Sequence, residues 1–136
     1  MQIREIRDGD ECAVVELWRA ALLIRPWNDA EADIALARRS QDSSVILLGF
    51  IEGILAASIM VGFEGHRGWV YYLAVAEQFR RKGLGKAMMA AAEKWLKEKG
   101  APKVQLMVRE DNAAANGFYD ALGFEVQPVT VLGKRF

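Results

Sequence analysis

The 136-residue sequence predicts an α+β fold, in which helices cover a layered sheet. Two apolar runs, 45–51 and 54–63, are separated only by a Glu-Gly pair, and such a two-residue connection is typical of a β-hairpin. A third apolar run, 69–75, follows a polar turn, and apolar residues then recur at helical spacing over 84–96. The order expected along the whole chain is β-α-α-β-β-β-α-β-α-β-β.

A short strand and a helix are expected at the start of the chain. Residues 2–6 alternate between polar and apolar side chains, as a half-buried strand does. Asp8 or Asp10 can cap a helix that runs to about Leu23, because a carboxylate accepts the free N–H groups of a first turn. Cys12, near the start of this helix, is interpreted as a packing residue rather than a nucleophile.

Caps and unbroken apolar runs predict the middle of the chain. Asn28 or Asp29 is expected to cap a second helix that ends near Arg39. The continuous apolar character of 69–75 predicts a central strand that is covered on both faces. Gly100 is expected to end the helix over 84–96, which follows this strand.

The last third of the chain is expected to add a strand, a short helix and a further strand or two. The strand covers 103–108. Asn112 can cap the short helix, and Gly123 can close it. From Phe124 onward, one or two terminal strands are predicted.

Composition indicates a single domain, residues 1–136, because 52% hydrophobic content over this length is enough for one core. No apolar stretch approaches the roughly 18 residues of a membrane span, and the charged N-terminus lacks a signal-peptide core. We therefore expect a cytoplasmic protein with no membrane partner. A formal net charge of zero argues against a nucleic-acid partner, and one Cys with one His argues against a metal site.

A glycine-containing segment, Arg80 to Gly85, has the features of a phosphate-binding loop. It lies directly before the long helix, where free N–H groups and the helix dipole favour an anion. Gly83 and Gly85 lack Cβ atoms where an anion would contact the main chain, and Arg80, Arg81 and Lys82 add positive charge. The segment fits neither a P-loop, which ends in Gly-Lys-Ser/Thr, nor the G-x-G-x-x-G of a dinucleotide site.

The loop resembles the R-x-x-G-x-G motif of the GNAT acyltransferases, and a second segment strengthens the resemblance. The family pattern N-x-x-A-x-x-x-Y-x-x-x-G-F is met at Asn112, Ala115, Tyr119, Gly123 and Phe124. The resemblance covers most of the chain, and its loops look like the small bacterial YpeA type of this family.

This resemblance implies a GNAT-like fold, a central mixed but mostly antiparallel sheet flanked by helices, with two strands that splay apart beside the cofactor. It also implies acetyl-CoA as co-substrate, bound by its pyrophosphate at the glycine loop. The residues expected to contact the cofactor are Leu73, Ala74, Val75, Arg80, Arg81, Lys82, Gly83, Leu84, Gly85, Lys86, Asn112, Ala115 and Tyr119.

Direct acetyl transfer to an amine requires an oxyanion donor and an acid for the departing thiolate. Tyr119 is the predicted acid, because its phenol has a reference pKa near 10, close to that of a thiol. By resemblance, a backbone N–H near Ala74 or Val75 is the predicted oxyanion donor.

The general base is less well marked in the sequence. Many members of the family carry a carboxylate on the strand where this chain has Tyr71 and Tyr72. Glu64 and His66, in the turn that leads into this strand, are the candidate bases, either directly or through water. An acceptor amine of low pKa would need no dedicated base.

The acceptor is expected to contact Arg25, Trp27 and Asn28, in a loop that overhangs the acceptor side in the family, and also Tyr71 and Tyr72. An arginine beside a tryptophan suits a carboxylate-bearing or aromatic acceptor, although Trp27 can equally be a hydrophobic plug.

The resemblance therefore implies an acetyl-CoA-dependent N-acetyltransferase that acts on a primary amine of a small molecule, a protein N-terminus or a lysine. The alternative is a catalytically weak acyl-CoA-binding module with a regulatory or interaction role. The missing strand carboxylate mildly favours the module, and Tyr119 mildly favours the enzyme. Both a monomer and a homodimer remain open.

Overall fold

The structure, a computed structural model, describes residues 1–136. The chain forms two compact units, Met1–Leu106 and Met107–Phe136. The elements of the first unit are β1 (Gln2–Glu5), α1 (Glu11–Ala20), α2 (Ala30–Arg39), β2 (Ser44–Ile51), β3 (Ile54–Phe63), β4 (Gly68–Val75), a single 3₁₀ turn (Glu77–Phe79), α3 (Leu84–Glu98) and β5 (Val104–Gln105). The second unit contains α4 (Ala113–Ala121).

The five strands form one mixed sheet in the order β1-β2-β3-β4-β5. The first four strands pair antiparallel, and β5 pairs parallel to β4. The hairpin between β2 and β3 turns at Glu52 and Gly53, which both have positive φ angles, 49° and 78°. This is the two-residue turn that matches the twist of antiparallel strands. The expected α+β fold with a mixed, mostly antiparallel sheet is confirmed.

Helices cover both faces of the sheet in the first unit. Ile46 and Leu48 of β2 belong to a buried cluster with Trp18 of α1 and Ile34 of α2. Gly49, which points to the opposite face, lies so close to Met88 of α3 that an added Cβ would be 3.1 Å from its sulfur. Alternate residues of one strand therefore pack against different helices, as the two-residue period of a strand requires.

Strand β4 contains a bulge. Ala74 pairs with Ser58 and Tyr71 pairs with Met60, so two residues, Tyr72 and Leu73, stand against one residue of β3. Tyr72 has a φ angle of 51°, in the left-handed region that non-glycine residues seldom occupy. A β-bulge of this kind takes backbone groups out of the ladder and redirects a side chain.

The outer edge of β4 is paired for only two residues. Gly68 pairs with Val104 and Trp69 with Gln105, after which β5 ends while β4 continues to Val75. The expected strand 103–108 is therefore reduced to two residues, and the edge of β4 beyond Trp69 has no strand beside it. The expectation that β4 is covered on both faces is wrong at Tyr71, which is 40% exposed.

The terminal strands predicted from Phe124 onward are not formed, since α4 is the last regular element. Val126 and Leu132 are almost fully exposed. Pro128 has no N–H to donate to a ladder, and the N–H of Val129 instead donates to the carbonyl of Gln127, which turns the chain.

Two expectations about α1 also need correction. Asp10 stands at the N-cap position, but its carboxylate accepts hydrogen bonds from Arg4 and from the N–H of Arg7 rather than from the helix. Cys12 is exposed rather than packed, because the buried stripe of this helix consists of Val14, Val15, Leu17 and Trp18. By contrast, Asp29 caps α2 as expected, accepting from the N–H of Ala32 at 3.0 Å.

Candidate active site

The glycine loop places an open helix N-terminus after β4. Gly83 is the N-cap of α3, with a φ angle of 79°, and no side chain caps the first turn. The backbone N–H groups of Leu84, Gly85 and Lys86 therefore have no acceptor within the helix, as in the first turn of every α-helix. An added Cβ on Gly83 would have no protein atom within 4 Å, so the space beside these donors is open.

The loop concentrates positive charge beside those donors. Arg80, Arg81 and Lys82 are all exposed, and none of them forms an ion pair. The Nε of Arg80 donates to the carbonyl of Val75 at 3.1 Å, which ties the loop to the end of β4. The side chain of Leu84 is buried in the core, so only its backbone can contact an anion. Free donors, cations and open space together suit a pyrophosphate.

A chain of hydrogen bonds holds the bulge of β4. The indole N–H of Trp18 donates to Oγ of Ser58 at 2.9 Å, and this hydroxyl donates to the carbonyl of Tyr72 at 3.1 Å. The Trp18 and Tyr72 rings stack with centroids 3.7 Å apart and planes 4° from parallel. Ser58 is fully buried, and it is the only polar residue in the buried core. Its hydroxyl therefore links α1 to the strained residue.

The phenol of Tyr72 forms a polar cluster with Asp33 and Asn28. Its hydroxyl donates to Oδ2 of Asp33 at 2.6 Å and lies 3.5 Å from Nδ2 of Asn28, which donates to it. Burial and, next, the hydrogen bond to the Asp33 carboxylate raise the pKa of Tyr72. The phenol therefore stays protonated at neutral pH and orients the carboxylate. We call Asn28, Asp33 and Tyr72 the polar cluster.

The structure brings together two of the five residues predicted to contact the acceptor, Asn28 and Tyr72. Arg25 lies in the same connection, where its carbonyl accepts from the N–H of Asn28 at 2.9 Å. Trp27, beside Asn28 in the chain, is 52% exposed. Tyr71 is separate from the cluster, and partial burial and then the charge of Glu64 raise its pKa.

The candidate bases lie in the turn before β4. Oε1 of Glu64 accepts from the N–H groups of His66 and Arg67, at 2.5 and 2.7 Å. The bond from Arg67 is the main cause that lowers the pKa of Glu64. A carboxylate with a lowered pKa that is occupied by its own turn is a weak base, which argues against Glu64 in this role. His66 is exposed in the same turn, and its role as a base stays a prediction.

Helix α4 of the second unit presents Tyr119 and closes as its sequence predicts. Oδ1 of Asn112 accepts from the N–H of Ala115 at 3.1 Å, so Asn112 is the N-cap. At the other end, Gly123 has a φ angle of 88°, and the N–H of Phe124 donates to the carbonyl of Tyr119 at 3.0 Å. This is a Schellman ending. Asn112, Ala115, Gly123 and Phe124 thus shape the helix that carries Tyr119.

Two aromatic rings surround the Tyr119 ring. Phe118 and Phe124 meet it edge-on, with centroids 5.0 and 5.5 Å away. Burial raises the pKa of Tyr119 to about 12. At neutral pH this phenol keeps its proton, which is the state that a general acid requires.

Sequence reasoning missed Trp18, Ser58 and Asp33 as site residues. A lone hydroxyl inside the apolar run 54–63 was a usable signal for Ser58, because buried polar groups need partners. Asp33 had no such signal, since it is one of two carboxylates in the first turn of α2.

Comparison with known proteins identifies the family. The acetyltransferase (GNAT) family model matches residues 12–124. An acetyltransferase of Pectobacterium atrosepticum is 43% identical over 135 residues, which is 99% of this chain and 95% of the relative. The chain belongs to the GNAT acetyltransferase family.

Solved GNAT-like structures share the fold at low sequence identity. The aminoglycoside 6'-N-acetyltransferase AAC(6')-IG of Acinetobacter haemolyticus, in its apo form, superposes with a TM-score of 0.79 at 17% identity, over 100% of this chain and 99% of that one. AAC(6')-Iy, in complex with the bisubstrate analogue CoA-S-monomethyl-acetylneamine, gives 0.77 at 19% identity, over 99% and 98%. These two likenesses show the fold, whereas the family model and the acetyltransferase of Pectobacterium atrosepticum show that this GNAT protein is an acyltransferase.

Two further features of this GNAT protein concern metal ligands and membrane-spanning helices. No three His, Cys, Asp or Glu side chains are grouped so that they could hold a metal ion. None of the helices combines the length and the apolar composition that crossing a membrane requires.

Proposed function

We propose that this GNAT protein transfers the acetyl group of acetyl-CoA directly to a primary amine. The observation that carries the proposal is the start of α3, which combines uncapped N–H groups, a left-handed Gly83 and three exposed cations. The CoA-containing analogue bound by the structural relative AAC(6')-Iy supports the same cofactor. Residues 80–86 would bind the pyrophosphate, and the acyl arm would lie along the edge of β4.

In the proposed reaction, the neutral amine attacks the thioester carbon, and the carbonyl oxygen becomes an oxyanion. Backbone N–H groups beside the bulge, at Leu73 to Val75, would stabilise this charge, because the bulge takes backbone groups out of the ladder. The C–S bond then breaks as the amide is completed. The amine loses one proton, and the thiolate gains one.

Tyr119 is the proposed source of the thiolate's proton. Its pKa of about 12 keeps the phenol protonated, and burial in an aromatic setting gives it few competing partners. The family pattern N-x-x-A-x-x-x-Y-x-x-x-G-F, met over residues 112–124, supports the assignment. The family match over residues 12–124 draws on both compact units, which supports a single functional domain.

The acceptor is proposed to be a small amine, a protein N-terminus or a lysine. The aminoglycoside acetyltransferases among the structural relatives support an amine-bearing small molecule. The alternative function is a CoA-binding module without turnover, which the absence of a carboxylate at Tyr71 and Tyr72 favours.

Calorimetric titration with acetyl-CoA, followed by thiol release against a panel of amines and peptides, tests the proposal. We expect saturable binding and release that depends on the amine. Binding of acetyl-CoA without thiol release on any acceptor would support the CoA-binding module. No binding would refute the pyrophosphate site at residues 80–86, which we call the cradle. Cys12→Ala is the control, because the exposed Cys12 has no part in direct transfer. Loss of release in this variant would indicate an acyl-enzyme instead.

A further inference from the structure

The Asp33 carboxylate has no cationic partner within the protein. One oxygen, Oδ2, accepts from the Tyr72 hydroxyl, and no Lys or Arg nitrogen lies within ion-pair distance. Arg38, on the same helix, pairs instead with Asp8 and Glu11. Asp33 is partly buried and lies in the first turn of α2, where the helix dipole stabilises a negative charge, so the carboxylate can remain without a cation in the protein and accept from a ligand.

The surrounding structure fixes Tyr72, the residue that donates to this carboxylate. The Tyr72 ring is stacked on Trp18, and its carbonyl is bonded to the buried Ser58. Tyr72 keeps a φ angle of 51° within this arrangement, and strain of this kind persists only where the surroundings enforce it. The hydroxyl that orients the carboxylate is therefore preorganised.

The chemistry of the polar cluster suits a cation. The Tyr72 hydroxyl donates to Asp33 and accepts from Asn28, so the acceptors left for a ligand are the carboxylate oxygens. An ammonium group offers up to three N–H donors to such acceptors. An anionic group would be repelled by the carboxylate of Asp33.

Tyr72 of the polar cluster also lies on β4, the strand that leads to the cradle. Tyr72 and the neighbouring bulge precede Val75, whose carbonyl binds Arg80 of the glycine loop. If the pyrophosphate binds at 80–86 and the arm follows β4, the acetyl group approaches the bulge. An acceptor held at Asp33 would then be near the thioester.

We propose that Asp33 binds an ammonium group of the acceptor, and that the acceptor is a compound with at least two amino groups. This rests on the proposed function. An amine can attack only after it has lost its proton, so an acceptor that stays bound to Asp33 as an ammonium reacts through a second, neutral amino group. Asp33 thus determines acceptor specificity and is not assigned the role of the base.

The test compares a diamine with the monoamine of equal chain length, 1,4-diaminobutane against butylamine, as acceptors for the wild type and for Asp33→Asn. The asparagine can still accept from Tyr72, so thermal stability should stay close to wild type. We expect KM for the diamine to rise about ten-fold or more, with kcat nearly unchanged, because a charge-assisted contact is lost. KM for the monoamine and acetyl-CoA affinity should not change.

Glu31→Gln is the matched control, because Glu31 is an exposed carboxylate on the first turn of the same helix. It should leave both KM values unchanged. Equal effects of Asp33→Asn on the two amines, or equal effects of the two variants on the diamine, would overturn the proposal.

A binding measurement separates this proposal from the proposed function. The diamine is titrated calorimetrically into wild type and Asp33→Asn, with and without saturating CoA. Weaker binding to the variant supports the ammonium site even if no thiol is ever released. Equal binding, or none to either protein, overturns the ammonium site, whereas failure of acetyl-CoA binding or release counts only against the proposed transferase.

Discussion

The cradle at 80–86 follows β4 in the chain, whereas the polar cluster includes Tyr72 within that strand, and the two regions are built in different ways. The cradle is continuous in sequence and offers mainly backbone donors, with Gly83 in a left-handed conformation. The polar cluster joins α2, the loop before it and β4 through side chains. The cations of the cradle are exposed, whereas the residues of the polar cluster are partly buried.

This difference determines what each region should tolerate. Backbone donors survive most side-chain changes, so the cradle should respond mainly to an added Cβ or to the loss of several charges. The bulge beside the polar cluster relies on single hydroxyl groups, and the loss of one atom leaves buried partners unsatisfied. One region should therefore affect cofactor affinity, and the other should affect folding stability and acceptor kinetics.

The largest expected effect is at Tyr119, where chemistry depends on one side-chain atom. Tyr119→Phe should lower kcat by about 100-fold, within the usual range for a lost general acid, and leave the acetyl-CoA Kd nearly unchanged. Steady-state thiol release and calorimetry measure the two quantities. An unaltered kcat would remove Tyr119 from the mechanism, and weakened cofactor binding would assign it to affinity instead.

Ser58→Ala should have the next largest effect. It leaves the Trp18 indole N–H and the Tyr72 carbonyl without their partner, so the free energy of unfolding should fall by roughly 1–3 kcal/mol. Urea unfolding measures this loss. Ser43→Ala is the control, because the hydroxyl of Ser43 is only partly buried and donates to one carbonyl. Similar losses in the two variants would contradict a special role for Ser58 at the bulge.

Gly83→Ala and Gly100→Ala form a pair that isolates the cradle. Both glycines have positive φ angles, 79° and 87°, and neither has an atom within 4 Å of an added Cβ. Each alanine should cost about 1–2 kcal/mol of backbone strain. Only Gly83→Ala should weaken acetyl-CoA binding, by roughly ten-fold, about 1.4 kcal/mol. Equal affinities of the two variants in calorimetry would show that the anion does not approach Gly83.

The smallest expected effect concerns alkaline stability. The pKa of Tyr119 is about 12 in the folded protein, against a value near 10 for an exposed tyrosine. Between these pH values the unfolded chain releases a proton that the folded protein keeps, so stability is full below pH 10 and falls as the pH rises.

Thermal midpoints measured from pH 9 to pH 12 should therefore fall more steeply for the wild type than for Tyr119→Phe. Groups that titrate in both proteins, such as the lysines, cancel in the difference. Parallel curves would show that burial does not hold the proton on Tyr119.

Local features of the sequence predicted most elements and the glycine-led start of α3. The turn at Glu52 and Gly53, the caps at Asp29 and Asn112, and the helix endings at Gly100 and Gly123 depend on residues a few positions apart. Short-range hydrogen bonds of this kind follow from residue type and spacing alone.

The bulge and the polar cluster were not predictable in the same way. Trp18 and Ser58 are 40 residues apart in sequence, and Asp33 and Tyr72 are 39 apart, so no local pattern connects them. The same reason explains the terminal strands, because the apolar residues after Phe124 indicate strand propensity without showing which edge would pair with them. Glu64 stays a predicted base, and the bonds that its carboxylate accepts within its own turn argue against that role.

The exposed cations of the cradle have a consequence for the kinetics of cofactor capture. The protein has 18 basic and 18 acidic residues, so it carries no net field to draw an anion from a distance. At physiological ionic strength the influence of Arg80, Arg81 and Lys82 fades beyond about 8 Å. A phosphate-bearing molecule therefore meets this loop by ordinary diffusion. As the salt concentration rises, its association rate constant should change little, whereas its residence time on the loop should shorten.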